Sequence, residues 1–338
     1  MAAETTNINS ACRDMWEKTV VSQVFMKNPL VVRMMAQKRV WVGGKQLAFP
    51  IDVATFEDVA QSYGYNDVLT NQDVEYLKAP KFDWKLFQVP VQYSIEEELK
   101  NDGPDAILDL VGSKVEKAQE GARLKMRAMM YDPDNTEAGT AFESICLALD
   151  HSRTYGGLTT ATTTTYPLWN GASLAGTYAD RATAITPSLS NFRKLLACCQ
   201  RRMQAPPGEW LAITSDTIFQ SLQEDAARFR VYTTDGSLLY KHGFNAMVLD
   251  GCEVVSDSYL EITPSTGAIN STRQKYFFLL HIPSWELKFH PRRAFRFTGF
   301  KWQGDQVNGK DFKLGRILNA GNLVTRKPNA SIWRSNMS

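Results

Sequence analysis

Two runs of alternating hydrophobicity are separated by a long stretch that carries no hydrophobic period, and this separation constrains the fold more than any other feature. Leu47, Phe49, Ile51 and Val53 alternate with Ala48, Pro50 and Asp52, and Phe87, Val89, Val91 and Tyr93 alternate with Gln88, Pro90 and Gln92. Both runs read as half-buried strands, and the prolines place them at the edge of a ribbon. Upstream, Gly43-Gly44 is a turn signal between Arg39–Val42 and Lys45–Leu47. Residues 54–82 between the runs are mostly polar or acidic, with isolated aromatics at Phe56, Tyr63, Tyr65 and Tyr76. Connections inside compact domains usually span about 4–6 residues. The scattered aromatics argue against plain disorder, yet a ribbon tip has too little core to be stable alone. The sequence therefore predicts a ribbon over 39–93 whose tip lies on another molecule, adding little to its own chain's core.

A long helix follows. Ser94 and Glu97 have capping-box spacing, Asn101-Asp102-Gly103 stops that first turn, and Pro104 suits the start of a new helix. Ile107, Leu110, Val111, Val115, Ala118, Ala122, Met126, Met129 and Met130 step by three and four up to Asp132-Pro133. That stripe predicts a helix over 104–131, roughly 40 Å long at 1.5 Å per residue. Glu116, Lys117, Glu120, Arg123 and Arg127 fall off it, and its methionines read as core packing rather than a cofactor box.

Ahead of the ribbon, residues 1–36 read as an arm with a short amphipathic helix through Met15, Trp16, Val20, Val24 and Phe25, interrupted at Asn28-Pro29. Beyond the long helix, residues 154–165 read as a surface loop or edge. Phe192, Leu195, Leu196, Cys199 and Met203 mark a helix that Pro206-Pro207-Gly208 breaks. Trp210–Thr214 reads as a buried strand, and Asp216 as the cap of a helix carrying Ile218, Phe219, Leu222, Ala226 and Phe229. Strands are expected at 244–254 and 276–281, and again over 285–289, 295–300, 311–318 and 323–325. Arm, ribbon, long helix, αβ block and β tail together predict an α+β protein with a discontinuous second domain. No internal repeat or flexible linker stands out.

Chemistry-bearing motifs are missing. No glycine motif cradles a phosphate, and Gly171-Ala172-Ser173-Leu174-Ala175 departs from a nucleophile elbow at its last position. His151, His242, His281 and His290 stand in no zinc-binding frame. Glu96-Glu97-Glu98 point in different directions on one helical turn and read as a solvated face. Cys12, Cys146, Cys198, Cys199 and Cys252, odd in number and without ligand spacing, read as buried thiols of a reducing compartment. No catalytic, cofactor-binding or metal-binding residue is expected, and no cofactor. A net charge of +2 is too small for a dedicated nucleic-acid binder. The densest basic stretch, His290-Pro291-Arg292-Arg293-Ala294-Phe295-Arg296, reads as salt-bridging at a subunit contact, with phosphate contact as the alternative. With 43% hydrophobic and 22% charged residues the chain can bury a sizeable core. It shows no apolar run of membrane-spanning length and no signal-peptide pattern at its start, so folding in a cytoplasm is expected.

The order of several short motifs adds a resemblance. Asn28-Pro29-Leu30 precedes the Gly43-Gly44 ribbon. Ser62-Tyr63-Gly64-Tyr65-Asn66-Asp67 and Ala79-Pro80-Lys81-Phe82-Asp83-Trp84 come next. Glu98-Leu99-Lys100-Asn101-Asp102-Gly103 leads into Ile107-Leu108-Asp109-Leu110, and Tyr155-Gly156-Gly157 precedes Trp169. From about residue 28 onward this succession resembles the major capsid proteins of tailed bacteriophages with the Hong Kong 97-type fold. Thr159-Thr160 and Asp132-Pro133 stand where relatives often carry Asp-Arg and Asp-Gly.

The resemblance implies an N-terminal arm over 1–38 and an extended β-hairpin loop over 39–93 that overlaps a neighbour. It implies a peripheral domain with the spine helix over 94–135 and an axial αβ domain over 136–275. Residues 276–338 would return to the peripheral β-sheet and end in a C-terminal strand. It further implies a non-enzymatic subunit that self-assembles into pentamers and hexamers of an icosahedral or prolate head enclosing double-stranded DNA. Such a shell is assembled in the host bacterial cytoplasm and located in the virion. Implied partners are other copies of the chain, separate scaffolding and portal proteins, decoration proteins, and packaged DNA in weak non-specific contact, with no membrane. An encapsulin-like nanocompartment shell is the alternative, followed by a tail or portal component and a soluble αβ enzyme.

Overall fold

The structure is a computed structural model that describes residues 28–54, 56–69, 73–100, 110–133, 140–151, 153–159, 169–172, 180–229, 232–233, 245–263, 268–302 and 312–338. Contacts divide it into a smaller unit, 88–122 with 297–318, and a larger one, 28–87, 123–296 and 319–338. Helices and strands are mixed in the α+β manner the sequence predicts.

Asn28-Pro29 opens a helix where a break was expected. In α1 (Pro29–Ala36), Asn28 accepts a hydrogen bond from the Val31 amide at 2.9 Å. Proline occupies the first turn, where its missing N–H removes no intrahelical bond. Leu30 and Met34, one turn apart, are fully buried in the larger unit, so residues 29–36 find their apolar partner within the chain. The helix expected over Met15–Phe25 lies outside the described residues.

The ribbon also departs from expectation. Strand β1 (Lys38–Val40) makes no hairpin across Gly43-Gly44; it pairs in parallel with residues 287–289. The two glycines still turn the chain, with φ of +70° and +86°. Strands β2 (Leu47–Ala48) and β3 (Ile51–Asp52) pair with β4 (Leu77–Lys78) and β5 (Lys81–Phe82), in the registers Leu47↔Phe82 and Ile51↔Lys78. The return side of the ribbon is therefore 77–82, whereas 87–93 was expected. The second alternating run belongs to β6 (Lys85–Ser94), which pairs with a late strand of a six-stranded sheet. Its alternation is real, with Val91 and Tyr93 buried and Gln88, Pro90 and Gln92 exposed.

The capping box forms at α2 (Ile95–Lys100), where Ser94 Oγ accepts from the Glu97 amide and Glu97 Oε2 from the Ser94 amide, at 3.1 and 3.0 Å. The long helix is described from Leu110 onward as α3 (Leu110–Met130); its expected start at Pro104 lies outside the described residues. The apolar stripe is buried at Ala122, Met126, Met129 and Met130 but only half-buried at Val115 and Ala118. After α4 (Ile145–Leu149), strands β7 (Thr154–Tyr155) and β8 (Leu158–Thr159) form a hairpin across Gly156-Gly157. The expected surface loop thus starts with a core residue, since Tyr155 is buried.

The αβ block follows its sequence signals. Helix α5 (Leu189–Arg202) precedes β9 (Trp210–Thr214) and α6 (Asp216–Phe229). Asp216 is the first helical residue instead of the cap; Ser215 Oγ accepts from the Ile218 amide at 3.3 Å. Strands β10 (Tyr232–Thr233), β11 (Ala246–Leu249) and β12 (Cys252–Ser256) are followed by the short α7 (Ser258–Glu261) and β13 (Phe277–His281). The tail contains β14 (Trp285–Phe289), β15 (Arg296–Phe297), β16 (Lys301–Trp302), β17 (Phe312–Thr325) and β18 (Ile332–Arg334).

Two six-stranded sheets result. One has the path β1-β14-β17-β15, with β6 and β16 also on β17; the other runs β10-β11-β12-β9-β13-β18. In the second sheet β9 is parallel to β12 and antiparallel to β13. All residues of β9 are buried, because both faces are covered. Trp210 and Ala212 join Phe192, Leu195, Phe219 and Leu222 from α5 and α6, while Leu211 and Ile213 join a second core with Tyr131, Phe278 and Trp285. The close approach of β14 and β17 requires a glycine at 321, where a Cβ would collide with the Lys288 carbonyl.

Candidate assembly surfaces

The ribbon has two unlike ends. At its root, Trp41 and Trp84 stack with ring centroids 3.6 Å apart, and Trp84 Nε1 donates to the Gly44 carbonyl at 3.0 Å. His290 packs edge-on against Trp84 at 5.4 Å. Phe82 is buried between Phe49 and Tyr155, at 5.8 and 5.0 Å. Gly156, at φ +60°, donates no side chain here and leaves room for Pro80 and Phe82, either of which a Cβ would strike. Its carbonyl accepts from the Lys81 amide at 2.8 Å. The buried Asn322 side chain donates to the Asp83 carbonyl and accepts from the Glu143 amide, both at 3.0 Å. Glu286 is buried on β14 beside Lys288, Arg39 and Arg326, at 2.7, 3.1 and 3.4 Å. Burial raises the pKa of its carboxyl, but the Lys288 hydrogen bond and the neighbouring cations outweigh burial and hold it below the usual range.

The paired part of the ribbon ends at the Val53–Tyr76 backbone hydrogen bond of 2.9 Å. Phe56, Tyr63, Tyr65, Val68, Leu69, Tyr76 and Leu77 are all exposed, Tyr65 completely, and they make up half of the large apolar residues left exposed among those described. One aromatic contact, Phe56 with Tyr76 at 5.4 Å, is all that the tip's rings make among the described residues. An apolar surface this concentrated marks an interaction site. Phe82, by contrast, is core, so the expectation that 54–82 adds little to the subunit's own core does not hold at its Phe82 end.

The basic stretch forms a one-turn 3-10 helix, Pro291–Arg293, capped by His290 Nδ1, which accepts from the Arg292 amide at 3.1 Å. Arg292, Arg293 and Arg296 are exposed.

Buried charge occurs at the end of α3. Arg127, expected off the apolar stripe, is fully buried and pairs with Asp257 at 3.5 Å. Asp257 also accepts from Tyr131 Oη and the Tyr259 amide, each at 3.0 Å, and Arg127 lies over the Tyr259 ring. Burial raises the Asp257 carboxyl even against the Arg127 charge. No sequence signal links the two members of this pair, which stand far apart in the chain. Its bonds are internal, which makes it a clamp on the helix end.

Among the described residues, the remaining motifs hold no convergent chemistry. His151 bonds the Gly171 carbonyl at 3.0 Å and His281 the Glu209 carboxylate at 2.9 Å. His242 and Ser173 lie outside the described residues. Glu97 is held below the usual carboxyl range by a hydrogen bond from Lys114. Cys146, Cys198, Cys199 and Cys252 are buried and unbridged; Cys12 lies outside the described residues. Among the described residues no group of histidines, cysteines and carboxylates could hold a metal ion, and no helix is long and apolar enough to cross a membrane. A cavity of about 870 Å³ lies along α5, but its Arg193 is already engaged by Asp250 at 2.7 Å.

No protein-family model and no curated protein matches the sequence. Solved structures do match over essentially the whole chain. A chain of the capsid asymmetric unit of cyanophage A-1(L) is 13% identical, with a TM-score of 0.68, covering 98% of this chain and 99% of the other. A chain from Mycobacterium phage Ogopogo is 9% identical, with a TM-score of 0.57 and 98% of each chain covered. The holo-SrpI encapsulin complex of Synechococcus elongatus PCC 7942 contributes a chain 9% identical, with a TM-score of 0.53, covering 98% and 95%. The chain therefore has the fold of phage capsid proteins, the Hong Kong 97-type fold its motif order resembles.

Proposed function

We propose that this chain is the major capsid protein of a tailed phage. It assembles with itself into pentamers and hexamers of a head that encloses double-stranded DNA, and it performs no catalysis. The observation that carries this reading is a ribbon with a core-packed root and a bare aromatic tip, on a fold that matches capsid chains over its full length. An exposed apolar tip of this kind marks an interaction site, and a symmetric shell supplies a neighbour to cover it at every subunit. The division over 1–38, 39–93, 94–135, 136–275 and 276–338 is proposed to correspond to arm, extended loop, peripheral domain, axial domain and return. The strand pairs between 47–52 and 77–82 support the extended-loop part of this division. Assembly in the host cytoplasm, location in the virion, and separate scaffolding and portal proteins belong to the same proposal.

A nanocompartment shell is the second reading, favoured by the full-length likeness to the encapsulin chain. Electron microscopy and mass spectrometry of particles from phage-infected cells separate the two. Particles of this chain that hold DNA support the capsid reading. Particles that hold an enzyme and no genome support the other, and a chain that stays monomeric contradicts both.

A further inference from the structure

The ribbon is polarised in charge as well as in packing. Residues 54–77 contain Glu57, Asp58, Asp67, Asp73 and Glu75 but no lysine or arginine. Within that segment Glu75 pairs with Lys78 at 2.5 Å, and Asp67 accepts from the Gly64 amide at 2.5 Å. Glu57 and Asp73 are exposed, and neither has a cationic partner among the described residues. At the root the balance reverses. Arg292, Arg293 and Arg296 are exposed without a carboxylate partner among the described residues. Their turn is fixed to the root, because His290 caps it and packs on Trp84.

The acids belong to the tip and the arginines pack at the root, at opposite ends of the paired ladder. From Leu47 to Val53 the paired ladder alone spans roughly 20 Å at about 3.3 Å per residue, twice the Debye length of about 10 Å at 0.1 M salt. A contact that joins tip to root is heterologous, and it forms a ring where the repeated rotation closes.

We infer that the acidic ribbon tip of one chain is received by the Arg292-Arg293-Arg296 turn at the ribbon root of a second copy. The inference rests on the shell-subunit reading and adds the partner surface. The exposed tyrosines give the contact its apolar area, and the opposite charges select register and speed encounter.

Charge reversal tests it in the full-length chain. Arg292→Glu with Arg293→Glu, and separately Glu57→Lys with Asp73→Lys, alter exposed side chains, and circular dichroism checks that each variant folds. Each pair alone is expected to abolish shells seen by light scattering and electron microscopy, and the four substitutions together are expected to restore them. Raising salt from about 0.1 to about 1 M should slow wild-type assembly and leave a variant lacking both charge sets insensitive. Either pair assembling like wild type, or the combined variant staying unassembled, overturns the inference. So does an arginine-reversed variant that forms intact shells but retains less DNA, which would make nucleic acid the partner of the turn. A wild-type chain that never assembles would sink the shell reading itself, a separate result.

Discussion

The two ends of the ribbon lie on one short piece of chain and solve opposite problems. At the root, Phe82 is buried against Phe49 and Tyr155, Trp84 spends its N–H on Gly44, and Asn322 ties down the Asp83 carbonyl. At the tip, aromatic rings stand in solvent, and Glu57 and Asp73 have no cationic partner among the described residues. Root interactions are complete within one subunit, so they govern folding. Tip interactions are incomplete, so they govern what the folded subunit does next.

The contrast is sharpest in a pair of truncations. Phe82→Ala removes a buried ring and should cost about 3–5 kcal/mol of subunit stability. Tyr65→Ala removes a fully exposed one and should change it by less than about 0.5 kcal/mol, while weakening assembly. Urea unfolding of the unassembled subunit measures both. Similar losses at the two sites would erase the distinction.

A smaller effect is expected from Glu286, which holds Arg39 of β1 beside the root. Glu286→Gln keeps the shape but removes the charge that several cations share, and should cost about 2 kcal/mol at neutral pH. The folded-state pKa of this carboxyl is depressed, so its contribution is present above the ordinary carboxyl range and lost as pH falls through the folded value. The stability gap between wild type and variant should therefore shrink on acidification from pH 7 to about pH 3. A gap that is constant over that range would mean that the charge is not what stabilises the site.

Legibility in the sequence followed the length of the pattern. Trp210–Thr214, the helix through Phe192 and Cys199, and the Ser94–Glu97 capping box each carry several residues of period or a fixed spacing, and each stands where it was read. The ribbon's own strands are two residues long, too short to show alternation, so the longer run at 87–93 carries the stronger strand signal. Asn28-Pro29 was ambiguous for a physical reason, since a proline that breaks a helix interior also favours a helix start. The stripe leaves Arg127 on another face because helical period reports an average face. Only the tertiary partners Asp257 and Tyr259 make its burial tolerable. The tip's partlessness was legible from composition, but the buried Phe82 at its base was not.

The most direct test of the account replaces the tip and leaves the root. Residues 56–75 are exchanged for a short Gly-Ser turn, sparing Val53 and Leu77–Phe82. Loop closure changes slowly with length, so the shortened chain should unfold cooperatively near the wild-type urea midpoint. Electron microscopy and light scattering of the same sample should then show folded subunits and no shells. Normal shells from this chain, or a chain that no longer folds, would contradict the claim that the ribbon's root builds the subunit and its tip builds the assembly.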